Sequence, residues 1–260
     1  MCEILIIHID PGLKHNETIR HRNASIHRPF KPNTDSGTGT SSTSDIYYNY
    51  GGHVLTGATK VYILFYGGWT SAQINIIYTL ISTIGSTAWF NIEKTYYYQA
   101  TSTSSRIYTT GPLTLGGAWT LPYFYGTSLS GTNIPDALSY YITNGELPND
   151  PNGIYLWLTS ADVSESNSVV GGSFLSDYCG YHYTFLAGST TYIYGFIGNP
   201  GRFIGHGCDP NNYNPTVSPN GDLGVDAMVS CIVHEIVEAM SDSWLDAWGD
   251  SSGYENADKW

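Results

Sequence analysis

The sequence predicts one α/β domain, of the mixed α+β kind, with a mixed sheet and a long helix near the C-terminus. Three observations predict this class. A β-branched and aromatic run, Lys60–Tyr66, is followed by two glycines and an amphipathic segment, as in a strand, a turn and a helix. Short strand-like runs separated by Gly, Pro and Asn come next. Sustained helical periodicity returns from about Leu223 to Ser241.

The first 45 residues are predicted to be a flexible polar leader, and residues 46–260 the folded domain. From position 10 onward the leader is rich in Pro, Ser, Thr, Asn, His and Arg and has no apolar period. Met1–Ile9 is apolar but includes an acidic residue and a histidine and lacks a basic start, so it matches a signal peptide poorly. Two N-x-S/T sequons, at Asn16 and Asn23, predict accessible glycans if the chain is secreted.

The elements of the domain are predicted in order along the chain. The strand Lys60–Tyr66 leads into a helix that Ser71 caps and that runs to about Thr83. A second helix is expected near Ile134–Thr143, and the last helix over Leu223–Ser241. The shorter strands are expected over residues 96–99, 107–110, 153–158 and 191–197.

The final helix is predicted to have one apolar stripe and one polar face. Asn220-Gly221-Asp222 supplies a turn and an N-cap before it. At about 100° per residue, His234 and Glu238 lie nearly opposite the apolar side. That apolar side is formed by Val225, Val229, Ile232, Val233, Ile236 and Met240. A helix of this kind packs on the core and turns its polar residues towards a cleft.

Charge excludes two classes of partner. The formal net charge is −12, and beyond position 35 only 5 basic residues face 18 acidic ones. Such a field repels phosphate backbones and anionic membranes, so we expect neither nucleic acid nor a membrane as a partner. No stretch reaches the roughly 18 apolar residues that a membrane helix needs. Divalent cations are the more natural partners of this chain.

The motif that carries chemistry is His234-Glu235-Ile236-Val237-Glu238, of the form H-E-x-x-E. Residues i and i+4 share a helix face about 6 Å apart, so His234 and Glu238 can reach one ion while Glu235 lies to one side. In H-E-x-x-H peptidases the second ligand is a histidine and the Glu is the general base on a metal-bound water. The motif therefore predicts a zincin-like domain, with Glu235 as the catalytic base.

A third ligand must come from outside the motif. Glu255 follows Glu238 by 17 positions, and Asp258 lies close behind it. His182 and His206 are further candidates, expected to approach from loops. Zn²⁺ is the first expectation for the bound ion. A carboxylate is a harder ligand than the histidine it replaces, so Ca²⁺, Mg²⁺ and Mn²⁺ are also candidates. The alternative without chemistry is that these polar residues lie on the solvent side of the helix.

The cysteines allow two interpretations. None of the four forms a C-x-x-C pair, which argues against a zinc ribbon or a redox motif and favours a single disulfide. Two cysteines and two histidines can also be written as a Cys₂His₂ zinc site, although two thiols in an oxidising compartment form a bridge more readily. These residues are Cys179, His182, His206 and Cys208. Cys231, on the final helix, is expected to be a small buried apolar residue.

Five blocks of sequence occur in an order that points to a known family. They are residues Tyr50–Gly57, Val61–Gly67, Gly153–Val163, Cys179–His182 and Pro219–Val229. Together they resemble the EXORDIUM, or phosphate-induced, family over residues 47–258. The resemblance implies a secreted, cell-wall-associated protein without a settled biochemical activity. Plant members commonly replace the His-Glu pair of the last helix by apolar residues, whereas this chain keeps His234 and Glu235.

The resemblance also implies a disulfide pairing. Family members carry two cysteines in each of two loops, written F-C-x-x-x-C-G-x-H and C-P-G-x-C. Here the first cysteine of each pair is lost and the second is kept, as Cys179 and Cys208, which implies a bridge between these two. The family pattern continues beyond Trp260, so we expect its C-terminal segment to be absent from this sequence.

Three functions are compatible with these observations. The first is a secreted metallopeptidase-like hydrolase, in which His234 and Glu238 with Glu255 or Asp258 hold a divalent metal. The second is a non-catalytic protein that self-assembles into an extracellular matrix or fibre, its leader adding to a neighbouring subunit. The third is a binder of wall polysaccharide, because flat aromatic rings stack on sugars and the chain has 22 Tyr and 7 Trp. Those aromatic residues can equally fill the core.

Overall fold

The computed structural model describes residues 45–204, 207–209 and 218–259, together with two short strands nearer the N-terminus. The strands are β1 (Leu5–Ile6), β2 (Ser25–His27), β3 (Tyr47–Tyr48), β4 (Thr59–Tyr66), β5 (Tyr97–Tyr98), β6 (Ile107–Tyr108), β7 (Leu113–Leu121), β8 (Ser128–Ser130), β9 (Ile154–Thr159), β10 (Ser164–Asn167), β11 (Gly172–Ser173), β12 (Gly180–Ala187), β13 (Thr190–Gly198) and β14 (Trp248–Gly249). The α-helices are α1 (Ser71–Ile84), α2 (Asn133–Thr143) and α3 (Leu223–Ser241). The fold is mixed α/β, as the sequence predicts.

A seven-stranded mixed sheet forms the centre of the fold, in the order β1-β7-β4-β9-β13-β12-β2. The pairs from β1 to β13 are parallel, and β12 runs antiparallel to both β13 and β2. The residues of β4 and β9 are almost all buried, as expected of parallel strands covered on both faces. The prediction of strands from these two continuous apolar runs is therefore confirmed.

Helix α1 follows β4 and leads back to β7. Its buried residues are Ile74, Ile77, Ile81 and Ile84, at the spacing of one helix face. The N-cap is Thr70 rather than Ser71, and Thr70 and Gln73 form a reciprocal capping box. The prediction of the cap was wrong by one residue because Ser71 is itself the first helical residue.

Helix α3 packs against β12 and β13 and also contacts α1. Its N-cap is Asp222, as predicted, and the Oδ1 atom of Asp222 accepts a hydrogen bond from the N–H of Val225 at 3.0 Å. The helix is buried nearly all round, including the side predicted to be polar. Residues of β12 and of the segment after the helix lie against that side.

Two long strands, β7 and β12, were not predicted. Strand β7 carries Gly116 and Gly117 at its middle, which look like a turn in the sequence. A Cβ atom on Gly116 would lie 2.4 Å from the ring of Tyr62, so the strand needs glycine where that ring crosses it. Strand β12 is buried on both faces over most of its length and lacks the alternation that reveals a half-exposed strand.

The segment after α3 returns to the beginning of the domain. Strand β14 pairs antiparallel with β3, joining Trp248 to Tyr48. In the predicted leader, β1 pairs with β7 and β2 with β12, at the two edges of the sheet. The extent of the flexible leader stays a prediction. Among the described residues, no helix is long and apolar enough to cross a bilayer.

Many of the aromatic residues lie in the core. Nearly all of the largest fully buried side chains are aromatic, namely Trp157, Tyr66, Tyr141, Tyr155, Tyr178, Tyr181, Tyr192, Tyr194, Phe65, Phe90 and Phe196. Several tyrosine hydroxyls find partners inside the protein, as Tyr155 does by donating to the carbonyl of Pro148.

Candidate metal centre

Helix α3 places the H-E-x-x-E motif inside the protein. Glu235 and Glu238 have no exposed surface, and His234 is only 9% exposed. Carboxylates are buried in proteins almost only where another group compensates their charge. The alternative in which these residues lie on the solvent side of the helix is therefore wrong.

The segment after α3 brings two further carboxylates back to the helix. The Oδ1 atom of Asp242 accepts hydrogen bonds from the N–H groups of Asp246 and Ala247, each at 2.6 Å, and so holds the first turn of this segment. Further along, the N–H of Glu255 donates to Oδ2 of Asp258 at 3.0 Å. Glu255 and Asp258 thereby reach α3 together, although they are remote from the motif in sequence.

The first ligand set consists of His234, Glu238 and Asp258. The Nε2 atom of His234 lies 2.9 Å from Oε1 of Glu238 and 3.5 Å from Oδ1 of Asp258. One ligand atom from each residue lies within 4.8 Å of the others. Three of the residues proposed from the sequence are thus brought together in the arrangement that a metal site needs.

The second ligand set consists of His182, Glu238 and Glu255. The Nδ1 atom of His182 lies 3.8 Å from Oε2 of Glu238, and its Nε2 atom lies 3.9 Å from Oε1 of Glu255. Ligand atoms of these three residues also lie within 4.8 Å of one another. His182 comes from strand β12 rather than from a loop, which corrects the expectation from the sequence. Glu255 lies with His182 and not with His234.

Glu235 lies between the sheet and the helix. Its Oε2 atom is 3.4 Å from Nδ1 of His182. Its Oε1 atom is buried and has no hydrogen-bond partner among the described residues. A buried carboxylate oxygen in that condition is costly unless a proton or a cation compensates it.

One residue of the centre was missed by sequence analysis. Glu93, in a short 3₁₀ turn after α1, is 2% exposed, and its Oε1 atom accepts a hydrogen bond from the side-chain amide of Asn256 at 3.0 Å. Burial, and to a smaller extent the nearby charge of Glu238, raises the pKa of Glu93. A single glutamate in a short segment with no motif offers no signal from which this position could have been predicted.

Comparison with known proteins gives the family. Residues 47–258 match the family described as "Phosphate-induced protein 1 conserved region". The chain belongs to the phosphate-induced protein 1 family. It is 30% identical to Protein EXORDIUM-like 3 of Arabidopsis thaliana over 245 residues, which cover 82% of this chain and 69% of that relative. It is 27% identical to Protein EXORDIUM-like 5 of the same plant over 225 residues, or 77% of this chain and 58% of the relative. No solved structure matches the chain.

The phosphate-induced family match covers every proposed ligand, and their chemistry fits a divalent cation. Atoms bound to one ion at 2.0–2.4 Å can lie at most about 4.8 Å apart, which both ligand sets satisfy. Each set offers one imidazole and two carboxylates. Imidazole suits Zn²⁺ and other transition metals, and carboxylate oxygens suit these and also Ca²⁺ and Mg²⁺.

Burial and neighbouring charges shift the pKa values of several side chains in the centre. Burial alone favours a neutral imidazole, but the carboxylates of Glu238 and Asp258 raise the pKa of His234 far above its ordinary value. Burial raises the pKa of Glu238, and the nearby His234 only partly opposes this. Burial also raises the pKa of Glu93, against the hydrogen bond from Asn256. Protons can therefore neutralise the centre, and a divalent cation can replace them.

The cysteines of this family member are settled by the structure. Cys179 and Cys208 form a disulfide with their Cα atoms 5.3 Å apart. The Cys₂His₂ zinc site is therefore wrong, because both thiols are oxidised and His182 faces α3 instead. Cys231 is a free, buried thiol, as expected. The sequons at Asn16 and Asn23 and the candidate ligand His206 lie outside the described residues.

Proposed function

We propose that this EXORDIUM-like chain is a secreted protein that binds a divalent cation in the buried centre on α3, and that the cation holds the C-terminal segment against the helix. The convergence of His234, Glu238 and Asp258 on a common point carries this proposal. The first two residues belong to α3 and the third to the C-terminal segment, so one ion would join two parts of the chain. Glu93, Glu235, Asp242 and Glu255 add further buried carboxylates around it.

The charge of the centre supports a bound cation. The described residues supply six carboxylates but only two imidazoles, so negative charge exceeds positive charge by at least four if all of them ionise. Such an excess inside a protein has to be removed, because an isolated buried charge costs several kcal/mol or more. Zn²⁺ is the first candidate because each ligand set includes an imidazole, and Ca²⁺ is the alternative.

Secretion is proposed on two grounds. The resemblance to the phosphate-induced family implies an extracellular protein. The disulfide between Cys179 and Cys208 is of a kind that persists in oxidising compartments and is rare in the cytosol. Secretion is tested by expressing the protein in its own host and looking for the mature chain in the culture medium.

A stabilising role for the cation is favoured over catalysis by burial. A hydrolase must let a peptide reach the metal-bound water, yet His182, Glu235 and Glu238 have no exposed surface. One observation supports the hydrolytic alternative: the Oε1 atom of Glu235 has no hydrogen-bond partner among the described residues. In that alternative Glu235 takes a proton from water, the water oxygen adds to the peptide carbonyl carbon, the C–N bond breaks, and the proton passes to the leaving amine.

The metal proposal is tested by metal analysis and thermal unfolding of the purified chain. We expect at least one equivalent of divalent metal per chain, and a melting temperature that falls on chelation and recovers with Zn²⁺. Glu238→Gln should remove the response to metal, because Glu238 contributes to both ligand sets. Glu146→Gln is the matched control, since Glu146 lies in the turn after α2 and belongs to neither set.

Glu235→Gln separates the stabilising role from the catalytic one. If the centre is catalytic, this variant should keep its metal and lose a peptidase activity that the unaltered chain shows. If the role is stabilising, the unaltered chain cleaves no peptide. A native protein that holds no metal, and whose melting temperature responds neither to chelator nor to Zn²⁺, would contradict the whole proposal.

A second candidate function, glycan binding, is favoured by an exposed aromatic patch, which we define as Tyr50, Tyr97 and Tyr108 with Arg106. Tyr50 is 58% exposed and Tyr108 46% exposed. The guanidinium of Arg106 lies 4.3 Å from the centre of the Tyr97 ring, which packs on Tyr108 at 5.5 Å. The exposed rings of Tyr50 and Tyr108, beside a hydrogen-bond donor, are suited to stacking on sugars.

The glycan candidate is tested by binding to immobilised wall polysaccharides. The double change Tyr50→Ala and Tyr108→Ala should abolish binding. Tyr123→Ala, at a residue 39% exposed that instead donates to Asp162, should leave binding intact. Self-assembly into a matrix or fibre stays a prediction from the sequence, and sedimentation of the purified chain over a range of concentrations would test it.

A further inference from the structure

We propose that the centre holds two divalent cations, bridged by the carboxylate of Glu238, rather than one. This inference rests on the proposed function, since it requires that the centre bind metal at all. The second cation would be held by His182 and Glu255 with the other oxygen of Glu238. His182 lies on strand β12 and Glu255 in the C-terminal segment, so two of the three ligands of the second cation lie outside the H-E-x-x-E motif.

The two oxygens of Glu238 face different partners. Its Oε1 atom is 2.9 Å from Nε2 of His234, on the same helix. Its Oε2 atom is 3.8 Å from Nδ1 of His182, on the sheet. A carboxylate whose two oxygens are directed to two separate imidazoles has the arrangement of a bridging ligand, as in two-metal sites whose ions lie about 3.5–4 Å apart.

Apart from Glu238, the two ligand sets have no residue in common. One set adds His234 and Asp258, and the other adds His182 and Glu255. The hydrogen bond from the N–H of Glu255 to Oδ2 of Asp258 places these two acids side by side, one for each set. The C-terminal segment thus delivers a carboxylate to each site in a single turn.

Glu235 provides an independent indication of the second site. It is fully buried, its Oε2 atom lies 3.4 Å from Nδ1 of His182, and its Oε1 atom has no hydrogen-bond partner among the described residues. It therefore stands beside the His182 set with an oxygen available to a cation. Protein groups in this condition are rare and call for a partner such as an ion or a water molecule.

Charge balance favours two cations over one. An imidazole must be neutral to bind a metal, so neither His182 nor His234 would contribute positive charge in the loaded centre. The four carboxylates nearest the two sets, of Glu235, Glu238, Glu255 and Asp258, carry four negative charges when ionised. One dication leaves two of these four charges uncompensated in a buried site, whereas two dications balance all four. The other two acids of the centre already have neutral donors, Asp242 from two backbone N–H groups and Glu93 from the side-chain amide of Asn256.

The test is metal stoichiometry on the full chain, with Mn²⁺ as the probe. The metal-free protein is titrated with Mn²⁺, and the bound ions are counted by elemental analysis after gel filtration. Two equivalents are expected for the unaltered chain. His182→Gln should reduce this to one, and His234→Gln should also reduce it to one, each by removing one imidazole. The control Glu146→Gln should keep two.

Electron paramagnetic resonance of the unaltered, Mn²⁺-loaded chain provides a readout that needs no variant. Two Mn²⁺ ions bridged by a carboxylate are expected to give a spin-coupled spectrum, and the single-site variants should give the spectrum of an isolated ion. One equivalent with an uncoupled spectrum would overturn the two-ion inference and leave the proposed function standing. No bound Mn²⁺, together with no native metal, would overturn both.

Discussion

At the scale of single residues, surroundings decide what each carboxylate does. Glu238 and Glu165 are both buried glutamates, but imidazoles and other acids surround Glu238, whereas two tyrosine hydroxyls donate to Glu165. The hydroxyl of Tyr178 donates to Oε2 of Glu165 at 2.6 Å, and that of Tyr181 to Oε1 at 3.1 Å. Glu238 is suited to binding a cation. Glu165, with neutral donors only, is suited to holding a proton.

The first prediction concerns the pH dependence of stability at Glu165. Burial raises the pKa of Glu165 from 4.5 to about 7, against the two tyrosine hydrogen bonds. Since the folded-state pKa is above the unfolded one, the folded state holds the proton more tightly. The stabilisation is complete below pH 4.5 and is lost as pH rises through 7. The loss should reach about 3.5 kcal/mol, at roughly 1.4 kcal/mol for each pKa unit.

The measurement is urea unfolding of the unaltered chain and of Glu165→Gln between pH 4 and 8. A glutamine can still accept from Tyr181 while Tyr178 donates to the carbonyl of Gly172, 3.2 Å away. The free energy of unfolding of the unaltered chain should fall relative to that of the variant as pH rises through this interval. Parallel curves for the two proteins would show that Glu165 does not titrate as described.

At the scale of elements, periodicity was sufficient to place the helices but not the whole sheet. The bounds of α3 and of β4 agree with the predictions to within one residue at each end. Their patterns are strong because one element is long and the other is a continuous apolar run. Strands β7 and β12 were missed, because paired glycines interrupt one and burial on both faces removes the alternation of the other.

The second prediction concerns the N-cap of α3. Asp222 accepts the N–H of Val225 through one oxygen and the side-chain amide of Gln73, on α1, through the other, at 2.8 Å. Asp222→Ala removes both hydrogen bonds and should lower the free energy of unfolding by about 1–2 kcal/mol. Chemical denaturation at neutral pH measures this loss.

Asp222→Asn is the matched control for that change. Asparagine is as good an N-cap as aspartate, so this variant keeps the bond to Val225 and weakens only the contact with Gln73. We expect it to lose about half as much stability as the alanine variant. Equal losses in the two variants would indicate that the contact between α1 and α3, and not the cap, carries the effect.

At the scale of the whole molecule, distant parts of the chain are tied together at a few points. Strand β14 pairs with β3, which brings the segment after α3 back to the residues that precede β4. The candidate metal centre draws on the turn after α1, on β12, on α3 and on the C-terminal segment. The disulfide joins Cys179, the residue before β12, to Cys208, 29 positions later.

The third prediction concerns this disulfide. Closing a loop of that length restricts the unfolded chain, and the loop-entropy estimate is about 3.5 kcal/mol of stabilisation. The double change Cys179→Ala and Cys208→Ala should lower the free energy of unfolding by roughly that amount, as measured by guanidinium unfolding. A reducing agent should destabilise the unaltered chain and have no further effect on the double variant. If reduction leaves the unaltered chain as stable as before, the bridge does not contribute as expected.

The sequence by itself determined the family, the mixed α/β class, the strongest strand and helices, and the H-E-x-x-E motif, because these depend on residues close together in the chain. Only the tertiary structure decided that the motif is buried, that His182 and Glu93 join it, and that Asp258 lies with His234 while Glu255 lies with His182. Those contacts depend on the order of strands in the sheet and on the path of the segment after α3. Local periodicity carries no information about either, since side chains far apart in sequence meet only where packing brings their elements together.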